Sequence, residues 1–248
     1  MATVAVAQYT ATQEKGRNVG LIAQAAHRGV KCGAQMLFLP ECCGFMGRNA
    51  NETLQAAEEL RGDLSLDPSH ASWISDVLKT GELAPSRGDS ISLIPSLQAI
   101  ARETGLWISA GGVHTKATNN KVHNTHLILD GDGNIRAHYH KIHLFDVSIP
   151  GQVDLQESRT TEPGQDVVVC ECPVGKLGVT ICYDLRFPEL YQRMVHEGNA
   201  EILLVPSAFT VPTGRAHWHT LLRGVYCHLN RKMMSLLISR LLVQSPSD

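Results

Sequence analysis

The N-terminal part of the chain alternates apolar runs with segments of helical periodicity. Residues 3–10, TVAVAQYT, alternate small apolar and polar positions, which is typical of a strand. Apolar residues recur at three- to four-residue steps over 14–32, which predicts a helix that Gly33 can end. The apolar run 35–40 predicts a second strand, with Glu41 at its carboxyl edge. The succession of a strand, a helix and a second strand indicates an α/β fold. Open α/β sheets bind ligands at the carboxyl edge of their strands, which is where Glu41 is predicted to lie.

The middle of the chain continues the α/β pattern after one interruption. Residues 62–90 are rich in Pro, Ser, Asp and Gly, and predict a loop or insertion. A helix is predicted over 95–104 and a buried strand over 106–113. The D-G-D-G sequence between the strand-like segments 122–129 and 134–139 indicates an antiparallel hairpin. The predicted sheet is therefore mixed.

The remaining pattern predicts a loop, three strands and a helix. The loop covers 141–165, and strands follow at 167–170 and 176–182. Proline is favoured at the first position of a helix, so a helix is predicted over 188–197, followed by a strand at 201–206. Because no segment has the composition of a linker, we expect one α/β domain.

Composition narrows the class of protein. The chain has 248 residues, 43% hydrophobic and 19% charged, which excludes intrinsic disorder. Lys and Arg number 22 against 24 Asp and Glu, without a block of like charge, which argues against a nucleic-acid binder. Seven cysteines exclude a fully paired disulfide framework and favour a reducing compartment. No apolar run reaches the ~18 residues of a membrane span, and the N-terminus lacks the basic region of a signal peptide.

Three residues at predicted strand edges are candidates for a reactive site. Glu41 follows F-L-P, Lys141 lies in YHKIHLFD and Cys182 lies in VTICYDLRFPEL. A lone cysteine is more often a small buried hydrophobe than a nucleophile, and an exposed Glu–Lys pair is usually a weak surface ion pair. Cys182, however, precedes a turn into a helix beginning near Phe187, where backbone N–H groups can stabilise a thiolate or an oxyanion.

The segments FLPE, HKIHLFD and GVTICYDLRFPE resemble the nitrilase superfamily of carbon–nitrogen hydrolases, and within it the branch of the deaminated glutathione amidases. The resemblance runs from Val4 to about Arg223 and includes VPSAFT and the HW pair after the cysteine. It implies a four-layer αββα sandwich that commonly assembles as a homodimer. It also implies a cytoplasmic enzyme, and a form with a different N-terminus could be mitochondrial.

The resemblance implies that Glu41, Lys141, Cys182 and Glu157 form the catalytic set of an amidase acting on non-peptide linear amides. An amide is a poor electrophile, so its hydrolysis benefits from a thiolate nucleophile, a proton carrier and a group that neutralises the oxyanion. Cys182 would form a thioester and Glu41 would carry the protons. Lys141 and the backbone N–H of Tyr183 would hold the oxyanion, and Glu157 would neutralise the buried lysine.

The implied substrate is a small amide that carries a carboxylate, with deaminated glutathione the first candidate and ammonia or an amine released. Arg186 and Phe187, next to the turn, are expected to shape the pocket, although the sequence does not identify the group that binds the carboxylate. No cofactor, metal, nucleic acid or membrane partner is expected. The histidines and the Cys170–Cys172 pair lack metal-ligand spacing, and no glycine-rich phosphate motif occurs.

Two regions depart from the family pattern. Residues 62–90 look longer than the connection in relatives, and an insertion there would reshape the mouth of the pocket. After Arg223 the pattern changes abruptly, so the sandwich is expected to lack several later elements. Alternative splicing or an error in the gene model would each explain this. We therefore expect a hydrolase domain over 1–230 and an atypical tail over 231–248.

The tail leaves several alternatives open. Apolar residues over 233–243 predict a helix that partly covers the exposed core. A poorly ordered tail and a helix lying on a membrane surface are the other interpretations. The shortened C-terminal part also leaves a second function open, that of a catalytically weak isoform that acts as a binding partner or has no function.

Overall fold

The computed structural model describes residues 2–60, 65–83, 91–149, 153–229 and 236–240. The strands are β1 (Val4–Val6), β2 (Met36–Leu39), β3 (Trp107–Lys116), β4 (Val122–Leu129), β5 (Ile135–His140), β6 (Asp146–Ile149), β7 (Val153–Gln156), β8 (Val168–Cys172), β9 (Gly175–Val179), β10 (Ile202–Phe209) and β11 (Leu236–Arg240). The helices are α1 (Lys15–Lys31), α2 (Ala50–Ala56), α3 (Pro68–Thr80), α4 (Leu93–Thr104), α5 (Pro188–His196) and α6 (Val211–Leu229). Two 3₁₀ turns span Glu157–Arg159 and Cys182–Arg186. None of the helices in these ranges combines the length and apolar character needed to cross a membrane.

Two mixed sheets form the centre of the fold. The first has the order β1-β2-β3-β4-β5, in which β1, β2 and β3 are parallel and β4 and β5 follow antiparallel. The second has the order β11-β10-β9-β8, with only β8 antiparallel to its neighbour. Strands β6 and β7 form a separate antiparallel hairpin. The predicted mixed sheet and the hairpin at D-G-D-G are confirmed.

The alternation of side chains along β2 shows how the sheets and helices form layers. Leu37 and Leu39 are buried in a core shared with α1, α3 and α4. Met36 and Phe38 point to the other face and are buried against the second sheet, whose core also includes residues of α5 and α6. The order of layers is therefore helices, sheet, sheet, helices, which confirms the predicted αββα sandwich.

The loop predicted over 62–90 is wrong for Pro68–Thr80, which form α3. The polar residues of this segment obscure a single apolar stripe at helical spacing, and that stripe is buried. Its members are Trp73, Ile74 and Val77, which join the core shared with α1 and α4. Residues 62–64 and 84–90 lie outside the described residues. That the segment is an insertion relative to the family stays a prediction.

The helix predicted over 233–243 is also wrong for Leu236–Arg240, which form β11 parallel to β10. A short apolar run has no periodicity that separates a buried strand from a helix. The edge of β10 opposite β9 offers unpaired backbone groups, and pairing with β11 satisfies them. Residues 230–235 and 241–248 lie outside the described residues.

His126 in β4 connects the two sheets through its buried imidazole. Its Nδ1 lies 2.9 Å from the backbone oxygen of Thr180, and its Nε2 lies 2.7 Å from Oγ of Ser109. A carbonyl oxygen only accepts, so Nδ1 carries the proton and the Ser109 hydroxyl donates to Nε2. Burial lowers the pKa of His126 to about 4, although the hydrogen bond to Thr180 acts in the opposite direction.

This burial predicts sensitivity to acid. An unfolded histidine takes up a proton near pH 6.5, whereas native His126 stays neutral until about pH 4. Its contribution to stability is therefore complete above pH 6.5 and is lost as the pH falls toward 4. We expect His126→Asn to be less stable at pH 7 but to lose less of its free energy of unfolding between pH 7 and pH 5 than the wild type, measured by urea denaturation. His219→Asn, at an exposed position on α6, should keep the wild-type pH dependence. Equal pH dependence in His126→Asn and wild type would contradict this account.

Candidate active site

Lys141 follows β5 directly, and its side chain is almost completely buried. Its Nζ lies 2.9 and 3.2 Å from the two carboxylate oxygens of Glu157 and 3.5 Å from Oε1 of Glu41. Burial alone lowers the pKa of Lys141, but the carboxylates of Glu41 and Glu157, together with Cys182 whenever it is a thiolate, outweigh burial and raise the pKa above its ordinary value. The ammonium form is therefore held between two carboxylates.

Glu41 lies at the carboxyl end of β2, where the apolar pattern predicts it, and its side chain is buried. Its Oε1 accepts a hydrogen bond of 3.1 Å from Nδ2 of Asn124 in β4. Its Oε2 accepts a hydrogen bond of 2.7 Å from the backbone N–H of Ala208 in β10. Donors from both sheets thus fix both oxygens of this carboxylate.

Glu157 reaches the lysine because the chain forms a hairpin where a loop is predicted. Strands β6 and β7 occupy part of the predicted loop 141–165, and Glu157 begins the turn after β7. Its Oε2 also accepts a hydrogen bond of 2.7 Å from the backbone N–H of Phe145. The two strands are four residues each and, within the described ranges, pair only with each other, so their pattern is too short to separate them from a loop.

Cys182 begins the 3₁₀ turn Cys182–Arg186, three residues beyond the end of β9 at Val179. The observed strand β9 therefore ends three residues earlier than the predicted strand 176–182. The backbone of Cys182 has φ +49°, a left-handed conformation that is uncommon for residues other than glycine. Burial raises the pKa of its thiol well above the ordinary value, the charge of Glu41 raises it further, and Lys141 lowers it. The resting thiol is therefore protonated.

Asp184, which is not among the predicted site residues, holds this turn in place. Its Oδ2 accepts hydrogen bonds from the hydroxyl of Tyr139 at 2.7 Å and the backbone N–H of Ile181 at 2.9 Å. Its Oδ1 lies 3.0 Å from the backbone nitrogen and 2.8 Å from Nδ1 of His143. The fully buried carboxylate thus ties the turn that carries Cys182 to β5 and to the loop after it.

A small pocket opens beside the cysteine. It is lined by Phe145, Cys182, Tyr183, Arg186, Ala208, Phe209, Thr210 and Thr213. The guanidinium carbon of Arg186 lies 4.9 Å from the ring centre of Tyr183 and 5.4 Å from that of Phe209. Among the described residues no carboxylate forms an ion pair with Arg186. A larger groove between β1 and α1 contains none of the predicted site residues.

Phe187, which was expected to shape the pocket, is not among the residues that line it. Its ring stacks on His143, with 3.6 Å between ring centres, and meets the ring of Tyr183 edge-on at 5.7 Å. Phe187 therefore supports the pocket wall from behind, because the residue lies between the 3₁₀ turn and α5 and turns its side chain toward the loop after β5.

The four predicted residues meet at one point, and their arrangement has a defined chemical capacity. A carboxylate that contacts both a thiol and an ammonium can take the proton of the thiol, while the ammonium attracts a developing oxyanion. In the part of the chain that the structure describes, no group of three or more His, Cys, Asp or Glu side chains is arranged to hold a metal ion.

A family model for carbon-nitrogen hydrolases matches residues 3–225, and the chain belongs to this family. This confirms the resemblance inferred from the motifs. The chain is 39% identical over 226 residues to the mouse deaminated glutathione amidase, covering 89% of the chain and 61% of the mouse protein. It is 37% identical to the deaminated glutathione amidase of Dictyostelium discoideum, and the match covers 89% of this chain and 68% of the Dictyostelium protein.

Solved structures agree with the fold. The crystal structure of the C. elegans NitFhit protein is similar with a TM-score of 0.71 and 32% identity, covering 96% of this chain and 52% of that one. The chain thus spans about half of that structure and 61% of the mouse relative, less than two thirds of either.

The ion pairs of Lys141 with Glu41 and Glu157 predict how much stability is lost when the lysine is replaced. Lys141→Met leaves two buried carboxylates without their cation, so we expect a loss of about 3–5 kcal/mol in the free energy of unfolding at pH 7. Protonation of the carboxylates relieves their repulsion, so the loss should become smaller as the pH falls from 7 to 5. Urea denaturation at both pH values measures this difference.

The control is Lys176→Met, which removes a surface ion pair with the exposed Glu171 and should cost less than about 1 kcal/mol. A loss for Lys141→Met that is the same at both pH values would contradict the assignment of paired buried charges.

Proposed function

We propose that the protein is a cysteine-dependent amidase that hydrolyses the C–N bond of a small carboxylate-bearing amide through a thioester. One observation carries the proposal: the buried Glu41 carboxylate lies 3.5 Å from the ammonium of Lys141, and both charges act on the buried thiol of Cys182. Membership of the carbon–nitrogen hydrolase family supports the class of bond. The contacts among these side chains favour an enzyme over a catalytically weak isoform.

In the first half-reaction, Cys182 Sγ attacks the amide carbon and Glu41 takes the thiol proton. The new C–S bond places negative charge on the carbonyl oxygen, which the Lys141 ammonium and the backbone N–H of Tyr183 stabilise. Collapse of this intermediate breaks the C–N bond. Glu41 then delivers its proton to the leaving nitrogen, which departs as ammonia or an amine.

In the second half-reaction, water attacks the thioester carbon and Glu41 takes a proton from it. The C–S bond breaks, the thiolate recovers the proton from Glu41, and the carboxylic acid product leaves. Glu157 takes no proton in either half, because its role is to keep Lys141 charged. No cofactor enters this scheme.

The nucleophile can be tested directly. We expect purified protein to release ammonia or amine from a panel of small amides that includes deaminated glutathione, and Cys182→Ala to lower the rate at least 1,000-fold, on the order of the loss when a nucleophile is removed. Intact-protein mass spectrometry should detect a thioester adduct on the wild type. Cys170→Ala, which changes a buried cysteine in β8 outside the site, should retain activity. Equal release by wild type and Cys182→Ala would refute the mechanism.

We assign the substrate carboxylate to Arg186. The guanidinium lines the same pocket as Cys182 and is held over two aromatic rings, and the described residues provide no carboxylate for it. A guanidinium can bind a carboxylate through two parallel hydrogen bonds. The mouse and Dictyostelium relatives are named deaminated glutathione amidases, which makes deaminated glutathione the first candidate.

This assignment predicts a charge-selective defect. Arg186→Met should raise KM for a carboxylate-bearing amide by about 10- to 100-fold, the equivalent of one lost charge-assisted hydrogen bond, and should change KM little for the matching amide methyl ester. Arg193→Met on α5, which removes an exposed pair with Glu197, serves as the control. An equal change for the acid and the ester would exclude Arg186 as the carboxylate partner.

The proposal also covers the oligomeric state of the protein, its cellular location and the limits of its domain. The resemblance to the nitrilase superfamily supports a homodimer, which sedimentation analysis tests. A thiol nucleophile must remain reduced, which supports the cytoplasm. The division into a hydrolase domain over 1–230 and a tail over 231–248 is supported by the family match, which ends at residue 225, and the tail adds β11 to the second sheet of the domain.

A further inference from the structure

We propose that Asn124 is a positioning residue for Glu41, and that the Gly111–Gly112 bulge in β3 creates the space in which the two side chains meet. This inference rests on the proposed function, in which Glu41 takes the proton of Cys182. Asn124 contacts neither the thiol nor the pocket, so it acts through Glu41.

Asn124 bonds to two members of the site at once. Its side-chain Nδ2 donates to Oε1 of Glu41 at 3.1 Å. Its backbone oxygen accepts a hydrogen bond of 2.9 Å from the backbone N–H of Lys141. One residue in the middle of the first sheet therefore fixes the distance between the end of β2, which carries Glu41, and the end of β5, which carries Lys141.

The other end of the amide shows that the contact serves Glu41. The Oδ1 atom of Asn124 is buried, and within the described ranges it has no hydrogen-bond partner. Rotating the amide by half a turn would place Oδ1 against a carboxylate oxygen of Glu41. Both atoms are hydrogen-bond acceptors and would repel each other, so the NH₂ group must point to Glu41. Leaving a buried oxygen unpaired costs stability, and a leucine of similar size would avoid that cost. The fold alone does not account for an amide at this position, whereas the bond to Glu41 does.

The pairing of β3 with β4 shifts by one residue beside this amide. Ala110 pairs with Leu127 and Val113 pairs with Thr125, so two glycines of β3 lie opposite one residue of β4. Gly112 has φ +91°. A Cβ atom there would lie 3.0 Å from both Oδ1 of Asn124 and Cγ of Glu41, and 2.8 Å from the backbone nitrogen of Cys42. Any side chain at Gly112 would therefore displace the Asn124–Glu41 pair.

Gly111 brings the second sheet close to the same carboxylate. A Cβ atom at Gly111 would overlap the ring of Pro206 in β10, with its nearest carbon only 2.3 Å away. Two residues beyond Pro206, the backbone N–H of Ala208 donates to Oε2 of Glu41. The bulge therefore allows β10 to approach closely enough for its backbone to hold the second carboxylate oxygen.

These contacts have a kinetic consequence. A donor to the carboxylate favours its charged form, which is the form that accepts the thiol proton. Without Asn124, the protonated form gains relative stability and the carboxylate can rotate away from Cys182. Loss of the amide should therefore slow the reaction of Cys182 and move the acid limb of its pH dependence to higher pH.

The experiment uses alkylation by iodoacetamide, resolved by residue with peptide mass spectrometry over a range of pH. At pH 7 we expect Asn124→Leu to slow alkylation of Cys182 by about 10- to 100-fold, comparable to the effect of misplacing a catalytic group. The exposed Cys32 and Cys227 provide internal reference rates that should not change. kcat/KM for amide hydrolysis should fall by a similar factor with the same shift of the acid limb.

The matched control is Thr125→Val on the same strand. Thr125 is also fully buried, and its hydroxyl lies 2.6 Å from that of Thr115 and 2.9 Å from Nδ1 of His140, away from Glu41. It should lose stability but keep the wild-type pH dependence of Cys182 alkylation. If a purely structural role explained Asn124, the two variants would behave alike.

Several results would overturn the proposal. The first is an Asn124→Leu protein whose Cys182 alkylates with the wild-type pH dependence. The second is a Cys182 whose alkylation has the same pH dependence in the wild type and in Glu41→Gln, since Glu41 then does not act on the thiol. If Asn124→Leu fails to fold, the isosteric Asn124→Asp provides the test. Its added carboxylate should slow Cys182 at least as much, and an unchanged rate would refute the positioning role.

The two proposals can fail separately. If alkylation of Cys182 depends on Asn124 but no amide is hydrolysed, the positioning role is supported and the amidase function is refuted. If amides are hydrolysed through Cys182 but neither readout responds to Asn124, the amidase function stands and the positioning role is wrong.

Discussion

The buried ammonium of Lys141 is the charge around which the site is organised. An isolated ammonium in this position would lose several kcal/mol of hydration, so it requires a permanent counter-charge. Glu157 supplies it, with both oxygens within 3.2 Å of Nζ and a backbone donor from Phe145 holding the carboxylate. Because Glu157 neutralises the lysine, Glu41, at 3.5 Å, can change its protonation state without leaving the ammonium unpaired. The hairpin of β6 and β7 matters to the fold for this reason, since it carries Glu157 to the end of β5.

The nucleophile is tied to the same strand. Cys182 has an unfavourable positive φ, which persists only where neighbouring contacts maintain it. Asp184 provides those contacts, because its buried carboxylate binds Tyr139 in β5 and His143 just beyond Lys141. The turn that presents the thiol and the strand end that presents the ammonium are therefore held as one unit, and any displacement of β5 moves both groups together.

The sequence predicts the parts of this arrangement that depend on local pattern. Buried strands and the D-G-D-G hairpin have strong signals, so the first sheet follows from the apolar pattern, and Glu41 was placed correctly at the end of β2. The helix Pro68–Thr80 was missed because its apolar stripe is short among Ser and Asp residues, and β11 was mistaken for a helix because a short apolar run fits both structures. Asn124 and Asp184 were missed for another reason. Their partners lie 83 and 45 residues away along the chain, and no local pattern records such contacts.

The choice of a carboxylate as the proposed base follows from the charge that is already buried. Before attack, the site holds the positive charge of Lys141 and the negative charges of Glu157 and Glu41, with Cys182 neutral. When the thiol proton moves to Glu41, one negative charge leaves the carboxylate and reappears on the oxyanion, still beside the ammonium. The total charge of the site is unchanged, so no step introduces a new charge into a medium that solvates it poorly. A histidine base at the position of Glu41 would instead become a cation next to Lys141, and the repulsion between two buried cations would oppose the proton transfer on which the attack depends.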